Sequence, residues 1–158
     1  MDYRHWICLL FISVLLVGTV FAQKTVNDFN IDESYTQAYN GSCDSLYLNG
    51  NHDAGVIIYK DLVEVDDDNN AYDNLIQDSG RDYLTPDDDM KIDQNSDNTV
   101  NFTDYDGAQH GVAEIIEVNG DSFVVVFWAK DTSNVDNSQL ISQLNQFNKD
   151  NNVKATAV

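Results

Sequence analysis

Hydrophobic residues recur along this chain with two different periods, and the switches between them mark out its elements. In "SLYLNGNHDAGVIIYKDL" (45–62) two short apolar runs flank a Gly/Asn/Asp loop, which predicts a β-hairpin. Further on, "MKID" and "TVNFTD" put Met90, Ile92, Val100 and Phe102 on alternate positions, two strands around the polar "QNSDN". "GVAEIIEVNGDSFVVVFWAKD" predicts two more strands joined at Asn119-Gly120, the dipeptide best suited to a two-residue hairpin turn. Residues 123–128 are apolar at every position, so that strand is expected to be central and covered on both faces. Glu114 interrupts its partner strand and is either at a frayed edge, the favoured expectation, or buried and paired.

The helical period governs two other stretches. In "AYDNLIQDSGRDYL" Tyr72, Leu75, Ile76 and Tyr83 share one face, residues 67–70 offer N-caps, and Pro86 stands just past the end. In the second, Leu140, Ile141, Leu144 and Phe147 form an apolar stripe. Asp136 is the expected N-cap with Gln139 three places on, and Val135 and Leu140 sit where a hydrophobic staple closes. This helix should end near Asn151-Asn152, leaving "VKATAV" as a short final strand. Together the elements predict an α+β fold: an antiparallel sheet of five or six strands with two helices packed on it, layered as an α/β/α sandwich.

The start of the chain follows neither period. Residues 6–22 are a continuous apolar run preceded by Arg4, and Val20 and Ala22 supply the small residues of a signal-peptidase site. Residues 1–22 are therefore expected to be a signal peptide, cleaved before Gln23, with 23–158 forming a single exported domain. Seventeen apolar residues are also just enough for an uncleaved anchor, and membrane association is expected only in that case. The expected location is outside the cell or on the outer face of its envelope.

Charge narrows the partners. The formal net charge is −19, and losing Asp2 and Arg4 with the leader leaves it unchanged. A field of that sign repels nucleic acid and attracts cations, so nucleic acid is excluded and the expected partner is a protein, a glycan or a cell-wall component. The acid is almost all Asp, 23 against 4 Glu, with 18 Asn beside it, which places much of the charge in turns and caps. A salt-adapted surface has the same composition.

The candidate chemistry is sparse. "DQNSDNTVNFTD" (93–104) comes close to the ligand spacing of an EF-hand calcium loop: Asp93, Asn95 and Asp97 at places one, three and five, Thr99 at seven, Asp104 at twelve. An EF-hand needs a helix on each side, whereas the alternating residues around this segment predict a hairpin. In the hairpin Asn101 and Thr103 point to solvent; in a calcium loop Asn101 faces the ion. The acidic runs 66–68 and 87–89 bracket the first expected helix as solvated loop charge, the second being the better placed for loose cation binding. Outside the leader Cys43 is the one cysteine, so no internal disulfide is available. It is a small half-buried residue, a partner in an intermolecular disulfide, or a reactive thiol that, with His52, Asp53 and His110, would serve a thiol- or metal-dependent hydrolase. No G-x-S-x-G, H-E-x-x-H or C-x-x-C motif supports that arrangement. Asn40 and Asn101 begin sequons, so both are glycosylation candidates in an exported chain. Tyr35, Tyr39, Tyr47 and Tyr105 are candidates for a ligand surface, with core or edge packing the simpler expectation.

Two resemblances add to this. The element order over residues 27–150 resembles PsbP-like α/β/α sandwiches of exported proteins. "HGVAEIIEVNGDSFVVVFWAKD" with "LISQLNQFNKDNNVKATAV" resembles small secreted proteins of unknown function from methanogenic archaea, which implies an archaeal envelope or extracellular location and no particular activity. The expectation is a non-enzymatic binding or structural module, with a calcium-stabilised domain and a small hydrolase as the competing readings.

Overall fold

A computed structural model describes residues 23–60, 90–96, 99–104 and 109–153. They form seven strands, β1 (Tyr35–Asn40), β2 (Asp44–Asn49), β3 (Ala54–Lys60), β4 (Met90–Ser96), β5 (Thr99–Asp104), β6 (Gln109–Val118) and β7 (Asp121–Lys130), followed by one helix, α1 (Asn137–Asp150). All seven belong to one sheet in the order β1-β2-β3-β7-β6-β5-β4, and every neighbouring pair is antiparallel. Two meanders, β1–β3 and β4–β7, are thus joined side by side where β3 pairs with β7.

The expected centre is the actual centre. β7 is fourth of seven, and its residues 123–129 are all buried. Alternate residues feed two cores. On the helix side Val56, Ile58, Val112, Ile116, Phe123, Val125 and Phe127 pack with Leu140, Leu144 and Phe147 of α1. On the opposite side Leu46, Ile57, Phe102, Ala113, Val124, Val126 and Trp128 form the second cluster. There the register aligns Gly55, Trp128 and Gly111. A Cβ at Gly111 would collide with the Phe102 ring, and one at Gly55 with the Tyr47 carbonyl at 2.7 Å and the indole at 2.9 Å. Both glycines are there for close approach.

Local signals fix the turns and caps. Asn119 and Gly120 both have positive φ, 56° and 85°, the requirement of a type I′ turn. Asp136 accepts from the Gln139 backbone N–H while the Gln139 side chain accepts from the Asp136 N–H, a complete capping box. At the other end Asn152 turns left-handed at φ 53°. Its N–H donates to the Lys149 carbonyl and that of Val153 to the Asn148 carbonyl, a Schellman motif with asparagine in the usual glycine place.

Several expectations change. The sheet has seven strands instead of five or six, because β1 is an edge strand with five of its six residues exposed and so carries no alternation to read. Among the described residues there is one helix; the first expected helix lies outside them, as does all but Val153 of the expected final strand. Ile141 is not part of the buried stripe but 37% exposed, since it is one step of about 100° beyond Leu140 around the helix. Glu114 is not at a frayed edge: β6 is interior, and the carboxylate is half-buried under α1. Asn101 is half-buried rather than turned fully to solvent, and its Oδ1 is buried with no hydrogen-bond partner among the described residues. β5 lies between two other strands, which leaves it less open than a free hairpin arm.

Candidate binding cleft beside the C-terminal helix

The segment before β1 is bound to the end of α1 as a strap. Phe29 stacks on Phe147 of the helix with centroids 5.5 Å apart and meets Phe123 of β7 edge-on at 5.0 Å. The Asn151 side chain, 5% exposed, then grips the strap's backbone: its Oδ1 accepts from the Asn30 N–H at 2.7 Å, and its Nδ2 donates to the Asn30 carbonyl at 2.9 Å. The same Nδ2 donates to the Phe147 carbonyl, so one side chain closes the helix and holds the strap. Five residues further on, the Tyr35 hydroxyl donates to Gln143 Oε1 at 2.8 Å.

Between these two ties lies a cleft of about 260 Å3. Residues 30–32 and Tyr35 form one wall, the helix residues Gln143, Gln146 and Asp150 the other, with Phe127 and Phe147 at its floor. Its polar groups are partly engaged with one another. Asp32 Oδ1 accepts from the Ser34 N–H at 2.9 Å, and Asp150 Oδ1 accepts from Gln146 Nε2 at 2.8 Å. Hydrogen bonds from Ser34 hold the Asp32 carboxyl below the ordinary carboxylate range, while burial raises the Tyr35 phenol above its usual value against the pull of the Gln143 bond. At neutral pH the cleft therefore presents an ionised carboxylate and a neutral phenol.

The other candidates are dispersed. Cys43 is half-buried beside Lys60, whose N–H donates to the Cys43 carbonyl. Lys60 is aligned with Phe123, whereas His110 is aligned with Ala129, six residues along β7. At about 3.3 Å per residue that is roughly 20 Å, so thiol and imidazole are at opposite ends of the sheet. His52 is exposed in the β2–β3 loop at φ 58°, on the His110 side. Asp53 is held by Asn49, whose Nδ2 donates to Asp53 Oδ1 at 2.7 Å. His110 Nδ1 lies 3.1 Å from Asp131 Oδ1 and its Nε2 2.8 Å from the Val135 carbonyl. With both ring nitrogens engaged it ties β6 to the entry of α1 instead of offering a base.

The EF-hand geometry does not form. Asp93 and Asn95 are in β4 and Thr99 and Asp104 at the two ends of β5, with strands rather than helices on either side. Five extended residues separate Thr99 from Asp104 by about 16 Å, too far to share an ion whose ligands lie about 2.3–2.6 Å away. Asp97 lies outside the described residues, as do Tyr105 and the acidic runs 66–68 and 87–89. No group of three His, Cys, Asp or Glu side chains is placed to hold a metal among the described residues. Of the sequon asparagines, Asn40 is exposed at the end of β1 and Asn101 is half-buried. Tyr47 is in the core, Tyr39 is 47% exposed on the edge strand, and Tyr35 lines the cleft.

Most of the cleft residues carry no motif. The one readable signal is the spacing of Gln143, Gln146 and Asp150 beside the apolar stripe, which puts three polar side chains on a common helix flank. No protein-family model matches this chain, and no curated protein is similar to it.

Proposed function

We propose that this protein is a non-enzymatic binding module, exported to the cell envelope or beyond it, that receives a small ligand or a projecting group of a larger partner in the cleft beside α1. The observation that carries this reading is the double tie across the cleft, Asn151 to the Asn30 backbone and Tyr35 to Gln143. These bonds set hydrogen-bonding groups from two distant parts of the chain at fixed separation around an apolar floor, the composition of a recognition site. The apolar leader and the likeness to small secreted proteins of methanogenic archaea support the location. The α/β/α layering implied by the PsbP-like element order belongs to the same proposal.

Two measurements test it. N-terminal sequencing of the exported chain should begin at Gln23; retention of residues 1–22 in a cytoplasmic product would end the export claim. Backbone NMR during a screen of small amines, sugars and cell-wall fragments should show saturable shifts at residues 30–35 and 142–150. Ligand-induced shifts confined to other parts of the molecule would displace the cleft as the site.

A further inference from the structure

We propose that the group accepted by this cleft is an organic ammonium, an inference that rests on the cleft being the binding site. The first argument is an inventory of what remains unused there. Tyr35 gives its proton to Gln143, leaving its oxygen as an acceptor. Asp32 accepts from the Ser34 N–H and hydroxyl and Asp150 from Gln146 Nε2, and a carboxylate with about four acceptor positions keeps capacity beyond these bonds. Three acceptors from three residues match a primary ammonium, which has three donors and no acceptor. The Ser142 hydroxyl and Gln143 Nε2 also line the cleft as donors, so what sets an ammonium apart from a sugar hydroxyl here is charge.

The second argument is charge. Among the described residues Asp32 and Asp150 are the only charged ones lining the cleft, with no Lys, Arg or His beside them. An anion is repelled both here and by the field of a chain carrying −19. A hard metal ion would need six or more converging oxygens, whereas four of the ten lining residues are aromatic or aliphatic: Ile31, Tyr35, Phe127 and Phe147. Such walls favour a cation that is itself partly apolar, through attraction to the ring faces.

The third argument is an example within the same cluster of rings. The Lys24 ammonium sits 4.2 Å from the centroid of Phe29, and Phe29 stacks on Phe147, which lines the cleft. Phe29, next to the cleft, thus already holds one ammonium over its ring. A volume of about 260 Å3 lies just under the roughly 300–1,000 Å3 typical of pockets for whole drug-sized ligands, so it fits an amine-bearing end group. A free amine and the end of a partner protein's lysine both supply that chemistry.

The test is a titration of the purified protein followed by backbone NMR, with 1,4-diaminobutane, Nα-acetyl-lysine methylamide and neutral N-acetylglucosamine as probes. The two ammonium probes should shift residues 30–35 and 142–150 saturably. Their affinity should fall about tenfold or more in Asp32→Asn combined with Asp150→Asn. Asparagine keeps the acceptor oxygen at both positions, so the variant should melt as the parent does. Tighter binding of the lysine derivative than of the diamine would identify a protein partner as the source, and the reverse a free amine. If N-acetylglucosamine shifts these residues and the ammonium probes do not, the ammonium inference fails while the cleft remains the binding site. Ammonium shifts spread over the acidic surface, or undiminished in the double variant, also overturn it. Silence from all three probes overturns it together with the assignment of the cleft.

Discussion

Glu114 and Asp32 approach α1 from opposite flanks, and their surroundings push them in opposite directions. Glu114 comes from β6, where burial raises its carboxyl above the ordinary range and the 2.6 Å bond from Asn148 Nδ2 only partly opposes that. Asp32 comes from the strap, exposed, where hydrogen bonds from Ser34 lower it. One helix therefore has a dry flank packed on the sheet and a wet flank that borders the cleft. The difference teaches that a carboxylate in this very acidic chain is informative only through what surrounds it.

The largest effect should come from the residue between the two flanks. Phe147→Ala removes the ring that touches Phe29 and Phe127 and should cost about 3–5 kcal/mol in denaturant unfolding. A smaller loss would mean that α1 is held mainly by its neighbours. Asn151→Ala should cost about 1–3 kcal/mol, because the Asn30 N–H loses its acceptor. It should loosen only the wet flank: hydrogen exchange at Asn30 accelerates while the β6 amides stay protected. Equal acceleration on both sides would dissolve the distinction.

Glu114→Gln addresses the dry flank with a smaller effect. A raised carboxyl means that the folded state holds the proton more tightly than the unfolded chain does. Its contribution to stability is complete below the unfolded value and is lost as pH rises through the folded one. The parent should therefore lose stability between acidic and neutral pH at this site, and the glutamine variant should melt higher than the parent at pH 7. Thermal melts across pH 4–8 read this directly, and a variant that melts lower at pH 7 would show that the charged form is the one being held. Asp32→Asn should change least, leaving the pH 7 melting temperature almost where it was. Its lowered carboxyl contributes stability above the unfolded value and loses it as pH falls through the folded value, so the small difference from the parent should be present at neutral pH and vanish in acid.

Wherever the relevant partners are close in sequence, the chain could be read. Asn119-Gly120, the Asp136–Gln139 box and the alternation of Met90, Ile92, Val100 and Phe102 each announced a turn, a cap or a hairpin because these features are local in sequence, the widest pair being Met90 and Asp104. The same alternation outweighed the calcium spacing that shares its residues. What could not be read depends on distant partners. Asn148 meets Glu114 across 34 positions, Gln143 meets Tyr35 across 108, and Asn151 meets Asn30 across 121. β1 escaped notice for the related reason that an exposed edge strand owes its conformation to β2 and not to its own pattern.

That last separation also sets an order of events. A ribosome delivers Asn30 long before Asn151, so the strap must wait for nearly the whole domain before its clamp exists. Until then its Asn30 N–H and carbonyl have only water, and the rings of Phe29 and Tyr35 lack their helical partners. The hairpins β2–β3 and β6–β7 can close as soon as each is made, because their contacts are local. The clamp is thus available only once residue 151 has been made, and a chain cut short before it would lack the contacts that hold the strap beside the cleft.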